Sequence, residues 1–294
     1  MMQNSFKIGS VVVACATASY AQSPSIVTDI PPVHSLVSQV MEGVGTPMLL
    51  LEPGADPHTY ALRPSQAAAL ENADVVIAIG PALTPWLEKP LSTLASEARI
   101  VMLLDVEGSH LLPYRGAHSH DHAHDDGNEA DPHAWLDPAN ARVWLSAIAD
   151  VLSEADPAQS TAYRTNAERA DDALARQITS LQEGFQIGPF GVHHDAFQYF
   201  ETRFGLEPAI IIQDDDAHQP GPARIAKVRA QVTDTDIACV FVEAGAPRSL
   251  VQTVLEGSDA KILELDPLGA GLDTGNKLYQ NLLRNMVDTM KECR

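Results

Sequence analysis

Short unbroken apolar runs alternate along this chain with stretches whose apolar residues recur at helical spacing. In the first half the runs are Val44 to Leu51, closed by Glu52-Pro53-Gly54, then Asp74 to Ile79, closed by Gly80-Pro81, and Arg99 to Leu104, closed by Asp105. They are continuous, not alternating, and rich in β-branched residues or Leu. Strands covered on both faces have this look. Ser65 to Asn72 and Trp86 to Glu97 lie between them and read as helices. The second half repeats the scheme. Its strands are Pro189 to His193, Pro208 to Ile212, Ile237 to Val242 and Ala260 to Leu265. Its helices are Ala196 to Phe204, Pro222 to Val232, Ser249 to Glu256 and Thr274 to Lys291. The alternation predicts an α/β protein of βα repeats on parallel sheets, about four strands to each half.

Between the halves the pattern is purely helical. Asn140 to Ala155 is amphipathic, and Asp156-Pro157-Ala158-Gln159 then opens a second helix. Asp156 is placed to cap it, Pro157 suits its first turn, and Gln159 completes a capping box. No Gly or Pro follows until Gly184, which predicts a helix of ~27 residues and about 40 Å. The expected organisation is an N-terminal lobe over 22–155, a stiff linking helix over 156–184 and a C-terminal lobe over 185–294, with a cleft between the lobes. The alternative is two ordinary helices inside one large domain. Residues 1–21 read as a secretory signal: Lys7 in a thin basic region, Ile8 to Ala18 apolar, and Ser19-Tyr20-Ala21 as the cleavage site. A rival reading takes Val12-Val13-Ala14-Cys15 as a lipobox, with Cys15 lipidated. Both place the protein outside the cytoplasm, in the periplasm.

Composition narrows the function. With 294 residues, 45% hydrophobic and 20% charged, the chain is a folded globular protein of one large or two ordinary domains. No apolar run reaches the ~18 residues of a membrane span. Acidic side chains outnumber basic ones 39 to 19, for a formal charge of -20. Such a surface repels phosphate backbones, which argues against nucleic acid and suits a cationic partner. Beyond Cys15 the cysteines are Cys239, in an apolar run, and Cys293, at the end of the last helix. In an oxidising compartment they are expected to pair and pin the terminal helix to the sheet. Two unpaired thiols are the alternative.

The candidate chemistry stands after the strands. His58 lies in GADPHTYALRPS, His133 in DPHAWLDP, His194 at the end of GVHH, and Asp266 in LDPLG after KILEL. Ligands of open parallel sheets bind at the carboxyl ends of strands, so two groups from each half can meet in one cleft. Three imidazoles and a carboxylate form a borderline-soft, four-ligand set suited to tetrahedral zinc, whereas manganese prefers more oxygen. Each residue also has a plain alternative. His58 can sit in a turn, His133 can be packed beside Trp135, and Asp266 before Pro267 can be a turn residue. Alternation lets only one of His193 and His194 face the cleft, and His194 is nearer the helix start. His34, His110 and His218 share no such address and read as loop or surface residues. Residues 117–133, AHSHDHAHDDGNEADPH, alternate His118, His120, His122 and His124 with small and acidic residues. With nothing apolar larger than Ala, the stretch cannot build a core. It reads as a mobile loop with weak secondary metal sites that lead toward His133.

In this order, GADPHTYALRPS, DPHAWLDPANA, HHDAFQYFETRFGL, ACVFVEAG and LDPLG resemble the zinc-binding solute receptors of bacterial ABC importers. These are the ZnuA-like or cluster A-I family, AztC-type members being the most similar. The resemblance covers nearly the whole mature chain. It implies two α/β lobes joined by a rigid helix, a metal between them and delivery to a membrane permease. A periplasmic zinc chaperone is a possible donor, and the chain is expected to be a monomer. Family ligands fall on His58, His133 and His194, and Asp266 matches the fourth position. Manganese receptors of the family usually have Glu where His194 stands. QPGPARI at 219–225 departs from the family's Pro-Ser pair. Besides a zinc receptor with no chemistry, two readings remain: a manganese receptor of the same family, and a secreted zinc hydrolase with Asp266 as general base. Against the hydrolase, the chain has no HExxH and no GxSxG motif.

Overall fold

The apolar runs assemble into two four-stranded sheets in which every strand pair is parallel. A computed structural model of the chain describes residues 23–115, 130–213 and 220–293. The first sheet holds β1 (Ile26–Thr28), β2 (Met48–Leu49), β3 (Val75–Ala78) and β4 (Arg99–Met102), in the order β2-β1-β3-β4. Helices α1 (Pro31–Val40), α2 (Pro64–Glu71) and α3 (Pro85–Thr93) form the crossovers. The second sheet repeats the order as β6-β5-β7-β8, with β5 (Phe190–His194), β6 (Ile210–Gln213), β7 (Cys239–Val242) and β8 (Lys261–Glu264). Its helices are α6 (Gln198–Phe204), α7 (Pro222–Thr235), α8 (Ser249–Val254) and α9 (Leu278–Met290). In this order the connections reverse direction beside β1 and beside β5. Ligand sites of open α/β sheets open at such points. Proline at the first helical turn starts α1, α2, α3 and α7 where a missing N–H costs nothing.

Between the sheets run α4 (Pro138–Ala155) and the long helix α5 (Ser160–Gln182). The expected capping box at Asp156 does not form. Residues Pro157–Gln159 make a tight three-residue turn, and the Asp156 side chain caps nothing. Its carboxylate instead accepts a long hydrogen bond from the Tyr163 hydroxyl, 3.4 Å. The linking helix is therefore 23 residues, about 35 Å at 1.5 Å per residue. The opening pair β1 and α1 went unread in the sequence. Three strand residues followed by Pro31-Pro32 are too short a run to announce themselves.

The largest apolar cluster crosses from one lobe to the other. It runs from Val33, Leu36 and Val37 of α1 through Trp144 and Ile148 of α4 and Leu174 of α5 to Tyr279, Leu283 and Met286 of α9. Polar contacts follow the same path. The Tyr279 amide donates to Ser35 Oγ at 3.0 Å, and Gln280 Nε2 to Gln39 Oε1 at 2.9 Å. The last helix of the second lobe thus covers the first helix of the first. Cys239 and Cys293 are joined by a disulfide with a Cα–Cα distance of 5.6 Å, fixing the end of α9 to the buried strand β7. Gly191 in β5 has no room for a side chain, since a Cβ there would stand 3.2 Å from the Ile210 carbonyl of β6. None of the helices among the described residues is long and apolar enough to cross a membrane.

Candidate metal centre

Three of the predicted residues come together. One ring nitrogen from each of His58, His133 and His194 lies within 4.8 Å of the others. His194 ends β5, at the reversal point of the second sheet. His133 precedes a short helical turn, Ala134–Leu136, that feeds α4. His58 comes from the segment between β2 and α2, which has no regular structure. His133 and His194 are 3% and 8% exposed, and His58 is half-buried.

One local device sets two of these side chains. Asp56-Pro57-His58 and Asp131-Pro132-His133 are the same tripeptide, and in each the aspartate Oδ1 accepts the histidine backbone N–H at 2.9 Å. This is an Asx turn, in which a short carboxylate mimics the backbone two residues on. Asp137-Pro138-Ala139 and Asp266-Pro267-Leu268 repeat it, at 2.8 and 3.0 Å. The repetition accounts for Asp266. Its Oδ1 also accepts from the Gly269 amide at 2.8 Å, and its Oδ2 from Gly271 at 3.2 Å. Asp266, expected as fourth ligand, is not in the histidine cluster. It does the work that Asp56 and Asp131 do, and where they present histidine it presents Leu268.

The distances suit zinc. Nε2 of His133 and Nε2 of His194 are 3.3 Å apart. Two nitrogens at 2.0–2.1 Å from a tetrahedral zinc are separated by about 3.3–3.4 Å. At this distance the two nitrogens share a proton when His194 carries it on Nε2, and accommodate a cation between them when both lone pairs are free.

A buried carboxylate holds His133 in the required tautomer. Asp131 Oδ1 lies 2.7 Å from His133 Nδ1, so that Nδ1 carries the proton and Nε2 presents its lone pair. Asp131 Oδ2 accepts from Gln198 Nε2 at 2.6 Å. Burial alone pushes the Asp131 carboxyl up. The electrostatic pull of the His133 ring when it is protonated, and the hydrogen bonds from the His133 ring and amide and from Gln198, outweigh it and hold the group below the ordinary carboxylate value. The Trp135 ring packs 5.3 Å from the His133 ring, and its indole N–H donates to the Pro267 carbonyl at 2.8 Å.

The base of the histidine-rich segment is fastened next to this centre. Pro113 and Ala130 pair as an antiparallel bridge. Leu112 N donates to the Tyr199 hydroxyl at 2.9 Å, and Gln198 Nε2 to the Pro113 carbonyl at 2.9 Å. Arg115 is held between the carboxylates of Asp195 and Glu201. Burial opposes the Arg115 charge, but the two acids outweigh it and leave the guanidinium a firmer cation. Burial likewise pushes Glu201 up against the pull of Arg115. Asp131, Arg115 and Glu201 were not picked out in the sequence. The DPH repeat was a readable signal for Asp131; the Arg115 pairs span 80 and 86 residues and leave none.

Other histidines fall elsewhere. His34, expected in a loop or on the surface, is buried within α1, its Nε2 3.2 Å from the Pro47 carbonyl. His110 Nδ1 lies 3.2 Å from Asp137, which also pairs with Arg203. His118, His120, His122 and His124, His218, Cys15 and the signal region 1–21 lie outside the described residues.

Comparisons with known proteins identify the family and the fold. The profile of the family described as "Zinc-uptake complex component A periplasmic" matches residues 26–293. The "High-affinity zinc uptake system protein ZnuA" of Paracoccus denitrificans is 38% identical, the match covering 99% of this chain and 98% of the relative. The protein of the same name from Brucella abortus strain 2308 is 35% identical over 95% and 94%. Among solved structures, a zinc-bound 138-173 deletion mutant of ZnuA superposes with a TM-score of 0.78 at 23% identity, covering 92% of this chain and 98% of that one. FpvC of Pseudomonas aeruginosa in complex with Mn2+ gives 0.78 at 22% identity, covering 92% and 99%. With its family profile spanning nearly the whole chain and relatives matched end to end, the chain belongs to the ZnuA family of periplasmic zinc-uptake components.

Proposed function

We propose that this protein captures Zn(II) in the periplasm with His58, His133 and His194 and delivers it to the membrane permease of an ABC importer. The observation that carries the reading is the 3.3 Å gap between the Nε2 atoms of His133 and His194, the edge of a tetrahedral zinc site. Three neutral nitrogens, one fixed in tautomer by a buried carboxylate, favour zinc over manganese, whose preferred ligands are oxygens. The relatives named for zinc uptake support the same choice. The zinc here is cargo. Partial burial of the cluster protects the ion from water, and the half-buried His58 leaves an exit. Asp266 is bound to three backbone amides and serves the loop that carries it. That role speaks against a general base beside the metal and favours the receptor over the hydrolase. The histidine-rich segment, rooted beside His133, is a secondary capture site that feeds the cluster, and a periplasmic zinc chaperone is its natural donor.

The test is a chelator-buffered titration of the purified mature chain. One zinc equivalent should bind tightly, and manganese in large excess should fail to displace it. Equal competition by manganese would sink the zinc assignment.

A further inference from the structure

The geometry points to Trp86 as a latch that sets how long zinc stays bound, through its hold on the segment carrying His58; the inference rests on His58 being a zinc ligand. The three nitrogens are not held alike. His133 and His194 belong to packed elements, with Asp131 and Gln198 behind His133. His58 stands in residues 50–63, which contain neither helix nor strand. An unstructured connection of that length inside a compact domain is uncommon and is usually tied to function.

The ties on this segment converge on a few side chains. Within it, Asp56 accepts from the His58 amide and from the Thr59 hydroxyl, at 2.9 and 2.6 Å. Gln66 of α2 pins its two shoulders, donating to the Leu50 carbonyl at 2.5 Å and accepting from the Arg63 amide at 2.7 Å. At the start of the segment the Leu50 and Leu51 amides donate to the Thr28 and Asp29 carbonyls, and at its middle Trp86, at the start of α3, donates its Nε1–H to the Pro57 carbonyl at 2.7 Å. That carbonyl belongs to the peptide group that joins Pro57 to His58. The indole therefore fixes the plane from which the His58 side chain departs. The Tyr60 ring packs edge-on against the same indole, 5.2 Å between centroids. Leu87 and Leu91 anchor α3 itself in the lobe. Trp86 acts on His58 through the Pro57 carbonyl, so it is a positioning residue. Losing its N–H should free His58 to swing away and leave the His133–His194 pair unaltered.

The experiment is a stopped-flow chase of the zinc-loaded full chain with excess chelator, run on Trp86→Phe and Trp86→Ala. Phenylalanine keeps a ring against Tyr60 and removes the donor. Release should accelerate about two- to tenfold, the worth of one net neutral hydrogen bond. Zinc association should stay at the parental value, and the zinc-free protein, which loses the same hydrogen bond, should still fold and melt only a few degrees lower. Alanine, which also removes the ring contact, should release faster still. In a His58→Ala background the Trp86→Phe change should add nothing, because the two residues act through one element. A parental release rate in Trp86→Phe overturns the latch, and so does equal acceleration with and without His58. Parental zinc affinity in His58→Ala alone would instead overturn the ligand assignment beneath it.

Discussion

Replacing Asp131 tests the centre most directly, because this carboxylate touches no metal position yet orients His133. It is 1% exposed and accepts three hydrogen bonds: His133 Nδ1–H at 2.7 Å, the His133 amide at 2.9 Å and Gln198 Nε2 at 2.6 Å. Alanine deletes all three and frees the imidazole to place its proton on Nε2, where it blocks metal. Partners of this kind are typically worth 10- to 100-fold in metal affinity, or about 1.4–2.7 kcal/mol. Asp131→Ala belongs at the upper end, since the Asx turn is lost with the tautomer lock. Asp131→Asn keeps an acceptor for Nδ1–H and loses the charge, so it should fall near tenfold. Because the native carboxyl is held below its ordinary value, it stays ionised above pH ~4, and the Asn deficit should persist from pH 5 to 8. A competitive titration against a chromophoric zinc chelator measures the affinity. Melting of the metal-free protein measures the separate cost of orphaned buried donors, about 1–3 kcal/mol each. Zinc affinity of Asp131→Ala within twofold of the parent, with the fold intact, would refute the tautomer argument.

Other outcomes follow from the same structure. Alanine at His58, His133 or His194 should each cut zinc affinity by orders of magnitude, whereas Asp266→Ala should change it only several-fold and lower thermal stability. A loss at Asp266 as large as at the histidines, read in the same titration, would restore it as a ligand. Burial holds the Asp29 carboxyl at about 7, against the amides of Ile79 and Ile30 that favour its ionised form. The folded protein then keeps a proton that the unfolded chain has released. The stability from this group is full below pH ~4 and is lost as pH rises through about 7. The stability difference between Asp29→Asn and the parent should shift in favour of the variant by up to ~1.4 kcal/mol per pH unit across that window, then level off. Denaturant melts from pH 4 to 9 check it. Replacing Cys239 and Cys293 together by Ser should cost up to about 4 kcal/mol, from the loop-closure entropy of a 54-residue separation. It should leave zinc affinity unchanged.

Much of the fold is legible because parallel strands covered on both faces must be continuously apolar. The runs at 74–79, 99–104 and 237–242 contain β3, β4 and β7. Histidines that follow strands can be read as cleft residues for the same topological reason. Asp266 shows where the reading stops. Asp-Pro after a strand has one sequence signature for a ligand and for an Asx turn, and only the amides of Leu268, Gly269 and Gly271 separate the two. The Asp156 cap fails similarly, since the residues suit a capping box but the backbone turns too tightly to form it. The Arg115 clamp and the Trp86 hydrogen bond are long-range pairs with no local trace.

The cover that α9 lays over α1 bears on how the chain comes into being. A polypeptide delivered from its N-terminus, whether by a ribosome or through a membrane pore, exposes α1 long before residues 278–290 arrive. Until then Ser35 and Gln39 lack their partners on Tyr279 and Gln280, and the apolar cluster that starts at Val33 has no lid. The cover of α1 is complete only when the last helix docks, and the Cys239–Cys293 bond then holds the end of that helix in place. A chain built this way stays loose while it is being threaded and seals once it is whole.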